Sequence, residues 1–427
     1  LEHAKHHLVA LWDFDSIKPG SYTYHHFWIR DAVIMMYALL LVGAKHAVKP
    51  ILERFTGLVK RSGLFRSQSG EWDANGQALW ILAQYARLTQ DTSVIDSMKK
   101  HITRMLSWYE KTLAHHGGVL PPGFSAEHLG PADWYLWDNF WALGGLKEIA
   151  PYLNDAAMVQ RATTIYKTLS MRLGEYLNSY PYLPAALGRS KDAGMIGSII
   201  VGYPLQVTDF LDARYLDSLD IIHKNYFFQG CFFQENIHSG LNPYLTLQMA
   251  ESYLFVGKTG AARKILRNIK RRAQKAYSYP EAIHVRTGGG CMGDGFHGWA
   301  SAEAVIMIRN LVVREVTLKT KTSALVWLAG YREKWLYEKS YVENIYTQHS
   351  HATLTLSDCH LTLENISMKE THILSLPQGF VPVDTTTNKA LPYFAHENFI
   401  PVADTERNYF LLDKDDGKKT TLHLAKP

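Results

Sequence analysis

Three aspartates in the first third of the chain each follow a tryptophan by one to three residues and stand at the start of a run with helical character. The pairs are Trp28 with Asp31, Trp72 with Asp73, and Trp137 with Asp138. An aspartate in this position can cap a helix by accepting hydrogen bonds from its free backbone amides. Its carboxyl group can instead act on a glycosidic bond while a sugar ring stacks on the indole. Capping does not explain the recurring tryptophan, so the pattern favours a carbohydrate site.

Arg30 lies between Trp28 and Asp31 in the segment FWIRD. A guanidinium and a carboxylate side by side can bind two neighbouring hydroxyl groups, and the indole can cover the apolar face of the same sugar ring. The alternative is an internal ion pair next to a helix cap. Both interpretations stay open on the residues alone.

Two later segments gather further polar residues ahead of predicted helices. The first, GCFFQENIHSGLNPY (230–244), carries Glu235 and His238. The second, YPEAIHVRTGGGCMGDGFHGWASAE (279–303), places Glu281 before a glycine-rich loop. Such a loop permits a tight turn or the close approach of a ligand, and the strand and helix context of a phosphate-binding loop is absent. We expect both segments to line the same site as the three aspartates.

The second of these segments also contains His284, Asp294 and His297, without the HExxH or an equivalent spacing of a metal site. Histidines held by structural hydrogen bonds are far more common than such ligands. We therefore expect neither a metal nor any other cofactor.

Six helices that are apolar almost all round alternate with amphipathic helices over residues 1 to about 315. A helix of the first kind is buried on every side, whereas one of the second kind keeps a face in solvent. The apolar helices start at or near Asp31, Asp73, Asp138, Asp192, Leu241 and His297. The amphipathic helices span about 1–14, 46–61, 93–113, 155–173, 209–223 and 259–275. Six such hairpins closing in a ring predict a mainly α fold, an (α/α)6 toroid, whose inner helices share one mouth.

The character of the sequence changes after about residue 316. Segments such as HATLTLS and HLTLENI alternate apolar and polar residues, which is the period of β-strands. The sequence therefore predicts a catalytic toroid over 1–315 and a small C-terminal β-sandwich accessory domain over 316–427. The carboxylates and histidines of the second part are scattered, so no chemistry is expected there.

Charge, hydropathy and cysteine usage limit the possible partners. The net charge is only +5, and the densest basic run, RKILRNIKRR (263–272), has the pattern of a helix with a solvated face, so we expect no nucleic-acid partner. No window approaches the roughly 18 apolar residues of a membrane span, so we expect no membrane partner. Three widely spaced cysteines are typical of a reducing compartment and predict a cytoplasmic protein. Because the chain starts at Leu1 rather than Met, secretion after trimming stays open. A monomer or small homo-oligomer is expected.

Five segments resemble, in order and spacing, those of glycoside hydrolase family fifteen, the glucoamylase family. They are YHHFWIRDAVIMMYALL (24–40), GEWDANGQALWILAQYARL (70–88), YLWDNFWALGGL (135–146), NPYLTLQMAESYLFVGKTGAARKIL (242–266) and the glycine-rich segment at 279–303. The resemblance implies an (α/α)6 toroid that releases glucose from non-reducing ends with inversion of the anomeric configuration.

The resemblance implies that Asp138 is the general acid and Glu281 the general base of an inverting, exo-acting hydrolase of α-linked gluco-oligosaccharides. The residues expected to bind the sugar are Trp28, Arg30, Asp31, Trp72, Asp73, Gln77, Trp137, Asn139, Glu235, His238 and Trp299. An inverting pair of carboxyl groups stands roughly 6.5–9.5 Å apart, which leaves room for one water. Burial against neighbouring tryptophans, Trp134 among them, is expected to keep Asp138 protonated against the opposing field of the helix N-terminus.

The sequence departs from the family at several of these positions. Asp138 and Asn139 replace two glutamates, which shortens the acid by one methylene. Cys231 to Glu235 replace the family's Arg-Tyr-Pro-Glu-Asp, so a sugar-binding arginine is missing, and Ala282 replaces a glutamine. These departures point away from starch as the substrate. Two alternatives stay open: a non-catalytic carbohydrate-binding relative, and a sugar epimerase or lyase on the same toroid with a histidine or tyrosine base.

Overall fold

The computed structural model describes residues 2–124, 132–235, 239–367, 369–401, 405–412 and 419–426. Its α-helices, in chain order, are α1 (Glu2–Ala10), α2 (Ile29–Leu41), α3 (Lys45–Glu53), α4 (Phe55–Leu58), α5 (Ala74–Thr89), α6 (Ser93–Ser97), α7 (Lys99–His115), α8 (Leu136–Ile149), α9 (Ala156–Leu177), α10 (Met195–Ser198), α11 (Ala213–Tyr226), α12 (Pro243–Phe255), α13 (Thr259–Lys270), α14 (Gly298–Val312) and α15 (Glu333–Tyr337). Its strands are β1 (Phe227–Phe228), β2 (Cys231–Gln234), β3 (Gly240–Leu241), β4 (Ala282–Ile283), β5 (Gly290–Met292), β6 (Val313–Thr317), β7 (Ser323–Trp327), β8 (Ser340–Tyr346), β9 (His351–Ser357), β10 (His360–Glu364), β11 (Thr371–Pro377), β12 (Val381–Asp384), β13 (Arg407–Leu411) and β14 (Lys419–Ala425).

The almost wholly apolar helices contact one another in a closed cycle. Helix α2 packs against α5, and α5 packs against α8. Helix α8 packs against α10 and the 3-10 helix Ile199–Val201, which contacts α12. Helix α12 packs against α14, and α14 returns to α2. Because each of these segments has neighbours on several sides, apolar residues all round its surface are buried.

The amphipathic helices lie outside this cycle and bury one face each. In α13 the buried residues are Thr259, Ala262, Ile265 and Ile269, which recur every three or four positions. The basic residues between them, such as Lys264 and Arg267, are exposed. The middle of the basic run at 263–272 is thus on the solvated face of α13, as the sequence predicts.

The fourth apolar helix is much shorter than the sequence predicts. Instead of a long helix from Asp192, the structure has the four-residue α10 followed by the 3-10 helix Ile199–Val201. Three consecutive β-branched residues lower the helix propensity there. Gly202 follows the segment, and glycine is required there because a Cβ would lie 2.1 Å from the hydroxyl of Tyr215.

A small sheet that the sequence did not predict joins the loops ahead of α12 and α14. Its strand order is β1-β2-β3-β4-β5, and Leu241 in β3 pairs with Ile283 in β4. These strands have two to four residues each, too few to produce a recognisable period-two pattern. Because β3 leads directly into α12, the sheet holds the segment around Glu281 at the N-terminal end of that helix.

The strand-rich C-terminal part contains two sheets with a shared apolar core. The strand orders are β12-β14-β10-β9-β8 and β13-β11-β7-β6. Leu325 and Trp327 of β7 belong to the core between the two sheets, whereas Ala324 and Val326 belong to the core of the helices. Since alternate residues of a strand point to opposite faces, the second sheet is covered on both sides. The helix α15 and the strand β14 were not expected from the sequence.

The last helix of the cycle continues directly into the first strand of this part. Helix α14 ends at Val312 and β6 begins at Val313. Just across that junction, Arg309 forms two hydrogen bonds of 2.7 Å with the carboxylate of Glu315, and both side chains are buried. In the ranges described, no helix has the length and apolar character needed to cross a membrane.

Candidate active site

The three aspartates are at the N-terminal ends of α2, α5 and α8, but none caps its helix. Asp31 and Asp138 lie in the first turn, behind N-cap residues Trp28 and Tyr135. Asp73 occupies the N-cap position of α5, yet its side chain makes no capping hydrogen bond. Asp73 therefore does not cap α5, and Asp31 and Asp138 do not occupy the N-cap positions of α2 and α8.

Asp73 joins two helices through its carboxylate. Its Oδ2 atom accepts hydrogen bonds from Nε1 of Trp137 over 2.7 Å and from Nε2 of Gln77 over 2.9 Å. All three residues are buried. The Oδ1 of Asp73 and Oε1 of Gln77 have no protein partner in the described part of the chain. The side chains of Asp73, Gln77 and Trp137, each predicted to bind sugar, are thus brought together.

Asp138 is almost completely buried, with 1% of its surface exposed. A Cβ at Gly123 would lie 2.9 Å from its Oδ2 and 2.6 Å from the ring of Trp72, so the neighbouring loop approaches closely enough to require glycine. Burial, followed by the charges of Asp73 and Asp138, raises the pKa of Tyr109 well above its ordinary value.

The expected tryptophan environment of Asp138 is only partly present. Trp137 and Trp141 are buried, whereas Trp134, which was also expected to help bury Asp138, is 42% exposed. Asn139 is buried; its Nδ2 donates to the carbonyl of Tyr135 over 2.8 Å, and its Oδ1 accepts from the amide of Leu120 over 3.0 Å. Contact of Asn139 with a sugar stays a prediction.

Glu281 lies immediately before β4 and is 8% exposed. The hydroxyl of Tyr24 donates a hydrogen bond to its carboxylate; burial, the charge of Glu281 and this bond together raise the pKa of Tyr24. Gly293, with φ of +67°, packs closely against Glu281. A Cβ at position 293 would lie 3.0 Å from the Cβ and 3.1 Å from Oε2 of Glu281. The glycine-rich loop is thus needed for close packing around this carboxylate.

Asp294 fastens the segment that carries Tyr24. Its carboxylate accepts hydrogen bonds from the backbone amides of Tyr22 (2.9 Å), Thr23 (2.8 Å) and Tyr24 (3.5 Å). Burial opposes ionisation, but these donors prevail and hold the pKa of Asp294 below its ordinary value. The loop that packs on Glu281 therefore also fixes the backbone of the tyrosine that donates to it.

A continuous series of rings connects the two carboxyl groups. Trp137, beside Asp138, lies 6.2 Å from Trp299, which stacks on Tyr244 at 4.3 Å. Tyr244 lies 5.5 Å from His297, and His297 lies 6.1 Å from Tyr24, the partner of Glu281. The aromatic residues thus run from the Asp138 side of the N-terminal ends to the Glu281 side.

Arg30 is paired with a residue that the sequence did not single out. Its Nη2 donates to Oε1 of Glu71 over 2.8 Å, and both side chains are buried. Asp31 instead lies 3.5 Å from Nε2 of His297. Trp28 is half-buried and lines a cavity together with Arg30 and Glu71.

The remaining predicted sugar ligands have varied positions. Trp72 is half-buried, lies 6.0 Å from the ring of Trp108 and donates to the carbonyl of Pro122. Glu235 is exposed. His238 lies outside the described residues.

Two further carboxyl groups lie in the core beneath Trp299. Nε1 of Trp299 donates to Oε1 of Glu303 over 2.9 Å, and Glu303 shares a hydrogen bond with Glu251 of α12. Burial raises the pKa of Glu303 to about 7; burial and the neighbouring Glu303 raise the pKa of Glu251 well above its ordinary value. A glutamate four residues after a tryptophan in an apolar helix is a signal that could have indicated this pair.

Within the described ranges, no group of three or more histidine, cysteine, aspartate or glutamate side chains has a geometry suited to a metal ion.

No protein-family model and no curated protein matches the chain. Several solved structures share its fold. One is a glycosidase with a variant solved in complex with glucose (TM-score 0.58, 15% identity, 73% of this chain and 96% of that chain). Another is a bacterial glucoamylase complexed with acarbose (TM-score 0.56, 12% identity, 72% of this chain and 55% of that chain). A third is the α-L-rhamnosidase from Dictyoglumus thermophilum (TM-score 0.63, 9% identity, 100% of this chain and 49% of that chain).

These structural neighbours are glycosidases, and at such identities the likeness establishes a shared helix-rich fold with separate β-sheets.

Proposed function

We propose that the protein is an inverting, exo-acting glycoside hydrolase of α-linked gluco-oligosaccharides, related to the glucoamylase family. In this proposal the closed cycle of helices is an (α/α)6 toroid over residues 1–315, and residues 316–427 form an accessory β-sandwich. Asp138 is the general acid and Glu281 is the general base.

The observation that carries the proposal is the placement of two buried carboxyl groups at the same end of the helices, with rings between them. Asp138 is in the first turn of α8. Glu281 precedes β4, whose partner β3 leads into α12. The ring series through Trp299 and Tyr244 links the two sides. Aromatic faces next to carboxyl groups are suited to a bound sugar.

The acid step requires a protonated carboxyl group next to the leaving oxygen. Burial disfavours the charged form of a carboxyl group, and Asp138 is almost wholly buried. Asp138 would give its proton to the glycosidic oxygen as the bond to the anomeric carbon breaks.

The base step requires an ionised carboxylate behind a water molecule. A hydroxyl donor stabilises the charged form of a carboxylate, and Tyr24 supplies one to Glu281. Glu281 would take a proton from the water, and the oxygen of that water would bond to the anomeric carbon from the face opposite the leaving group, which inverts the configuration. This mechanism requires the two carboxyl groups to stand roughly 6.5–9.5 Å apart.

The test compares Asp138→Asn and Glu281→Gln with the parent on a set of α-linked gluco-disaccharides, following the product anomer by proton NMR. Each variant should lose orders of magnitude in turnover while its circular dichroism is unchanged. Glu175→Gln, on the exposed face of α9, is the control and should keep full activity. Near-normal turnover by either variant contradicts the assignment.

The same experiment separates the alternatives. An unsaturated sugar product would indicate a lyase, and an isomerised sugar would indicate an epimerase. Oligosaccharide binding without turnover by the parent protein would indicate a non-catalytic carbohydrate-binding protein.

A further inference from the structure

A cavity of about 300 Å³ adjoins the N-terminal end of α2. Its walls come from the loop ahead of α2 and the first turn of that helix, from Arg54 between α3 and α4, from α4, and from the loop ahead of α5. The residues that matter for its chemistry are His26, Trp28, Arg30, Arg54, Arg66 and Glu71. Two of them, Trp28 and Arg30, are proposed sugar ligands, so the cavity is continuous with the proposed binding residues.

Positive charge exceeds negative charge around this cavity. Three arginines line it, and Glu71 is the only carboxylate among the described residues that do so. Glu71 is already engaged by Arg30 over 2.8 Å. Arg54 contacts Asp15 over 3.2 Å, but both side chains are about half exposed (49% and 53%), and such a pair contributes little.

Arg66 contributes a charge that no described residue balances. It is exposed, lines the cavity, and its guanidinium has no hydrogen bond or ion pair within the described residues. The cavity therefore offers a guanidinium that is free to take an anionic ligand. A guanidinium binds a carboxylate through two parallel hydrogen bonds, which a neutral hydroxyl cannot match.

The remaining walls suit a ring rather than a bare inorganic ion. Phe27, Ile29 and Leu58 are apolar, and Trp28 presents an indole. A ligand that combines a carboxylate with a sugar ring satisfies both kinds of wall at once.

We propose that this cavity binds the carboxylate of an acidic sugar, and hence that the saccharide the protein accepts contains a uronic acid unit. This inference rests on the proposed function, because it assigns a substrate class to the same site. Arg66 and Arg54 bind the carboxylate, Arg30 is held in place by Glu71, and Trp28 covers the ring.

Binding to the Glu281→Gln protein tests the inference without relying on turnover. Glucuronic acid, glucose and inorganic phosphate are titrated separately by calorimetry at low ionic strength. Glucuronic acid and glucose form a matched pair, because they differ only at C6. We expect glucuronic acid to bind about tenfold more tightly than glucose, which is the effect of one charged hydrogen bond. The affinity for glucuronic acid should fall as salt is added. Equal affinities, or phosphate binding as tightly as glucuronic acid, would overturn the inference.

A pair of exposed arginines supplies the control. Arg66→Gln should lower the affinity for glucuronic acid about tenfold and leave the affinity for glucose unchanged. Arg61→Gln, which removes an exposed charge outside the cavity, should change neither. An unaltered affinity of Arg66→Gln for glucuronic acid contradicts the inference.

Turnover distinguishes this inference from the function on which it rests. Hydrolysis of neutral gluco-disaccharides with no preference for acidic ones would overturn the acidic-substrate inference alone. Charge-selective binding that depends on Arg66, without turnover of any saccharide by the parent, would overturn the hydrolase proposal and leave the binding site.

Discussion

The indole of Trp137 donates a hydrogen bond of 2.7 Å to Oδ2 of Asp73. This bond joins the first turn of α8 to the start of α5, which are separated by 64 positions in the sequence. Trp137 therefore has two functions in the structure. It packs in the ring series toward Trp299, and it holds the Asp73 carboxylate beside the proposed acid.

Trp137→Phe removes this donor and keeps the aromatic ring. Because a buried acceptor then loses a partner, we expect a loss of about 1–3 kcal/mol in the free energy of unfolding, with a lower kcat. Trp141→Phe is the matched control: Trp141 is equally buried, but its Nε1 makes no hydrogen bond within the described residues. Chemical denaturation and steady-state kinetics of both variants provide the comparison. Equal losses of stability and kcat in the two variants would show that the hydrogen bond to Asp73 contributes nothing beyond the packing of the indole.

Gly293→Ala tests the packing of the glycine-rich loop on Glu281. Gly293 and Gly288 both have positive φ angles, of +67° and +71°. Alanine at either position strains the backbone by about 1–2 kcal/mol. A new Cβ at 293 also meets the Glu281 carboxylate, whereas nothing lies within 4 Å at 288. Both variants should lose similar stability, but only Gly293→Ala should lose at least about tenfold in kcat, the equivalent of about 1.4 kcal/mol in the barrier. Similar kcat values for the two would contradict this prediction.

Asp294→Ala tests the fastening of the Tyr24 segment. Without three amide hydrogen bonds to one carboxylate, Tyr24 should no longer be held against Glu281. We expect kcat to fall and the acid limb of the pH–rate profile to move to higher pH, because the base loses a donor to its ionised form. Asp294→Asn should restore part of the activity. As a control for stability alone, Asp212→Ala removes the N-cap of α11 and should leave the profile in place.

The Glu251–Glu303 pair predicts a pH-dependent stability. The pKa of Glu303 rises from 4.5 to about 7 in the folded protein, chiefly through burial. A carboxyl group with a raised folded-state pKa stabilises the protein fully below its unfolded value and loses that contribution as pH rises through the folded value. The free energy of unfolding should therefore fall between pH 4.5 and about 7, by about 1.4 kcal/mol per pH unit for one proton.

The double variant Glu251→Gln with Glu303→Gln should flatten that slope. Glutamine keeps an acceptor for the indole of Trp299, so the fold is retained. Urea denaturation at several pH values measures the effect. An unchanged slope would assign the pH dependence to other groups.

Helical periodicity was enough to predict the buried helices, and the resemblance to a glycosidase family singled out Asp138 and Glu281 as two candidate carboxyl groups. These features are local. A helix with apolar residues on every side must be buried, and this can be recognised without knowing what it packs against. The shortness of α10 was not predicted, because the apolar pattern after Asp192 is long enough for a full helix. The β-branched residues that follow α10 lower the helix propensity, and the pattern alone does not show this.

The partners of the candidate residues could not be predicted from the sequence. Asp294 binds the backbone near Tyr22 across 272 positions, and Glu71 meets Arg30 across 41 positions. Every residue except proline has a backbone amide, so the sequence does not show which amides a carboxylate will bind. An acidic residue in a loop cannot be distinguished by sequence from one that is exposed to solvent. The same holds for two of the three aspartates near the helix starts, because Asp73 accepts a hydrogen bond from Trp137, 64 positions away, and Asp31 lies 3.5 Å from Nε2 of His297.

The direct passage from α14 into β6 has a consequence for how this protein could evolve. Because no linker separates Val312 from Val313, recombination at this junction is not expected to transfer the strands as an independent domain. Residues of the second sheet such as Val316 and Val326 complete the apolar core of the helices. Loss of the strands from β6 onward would expose the apolar helix surface that these residues cover, so the helices and the strands are expected to be inherited together.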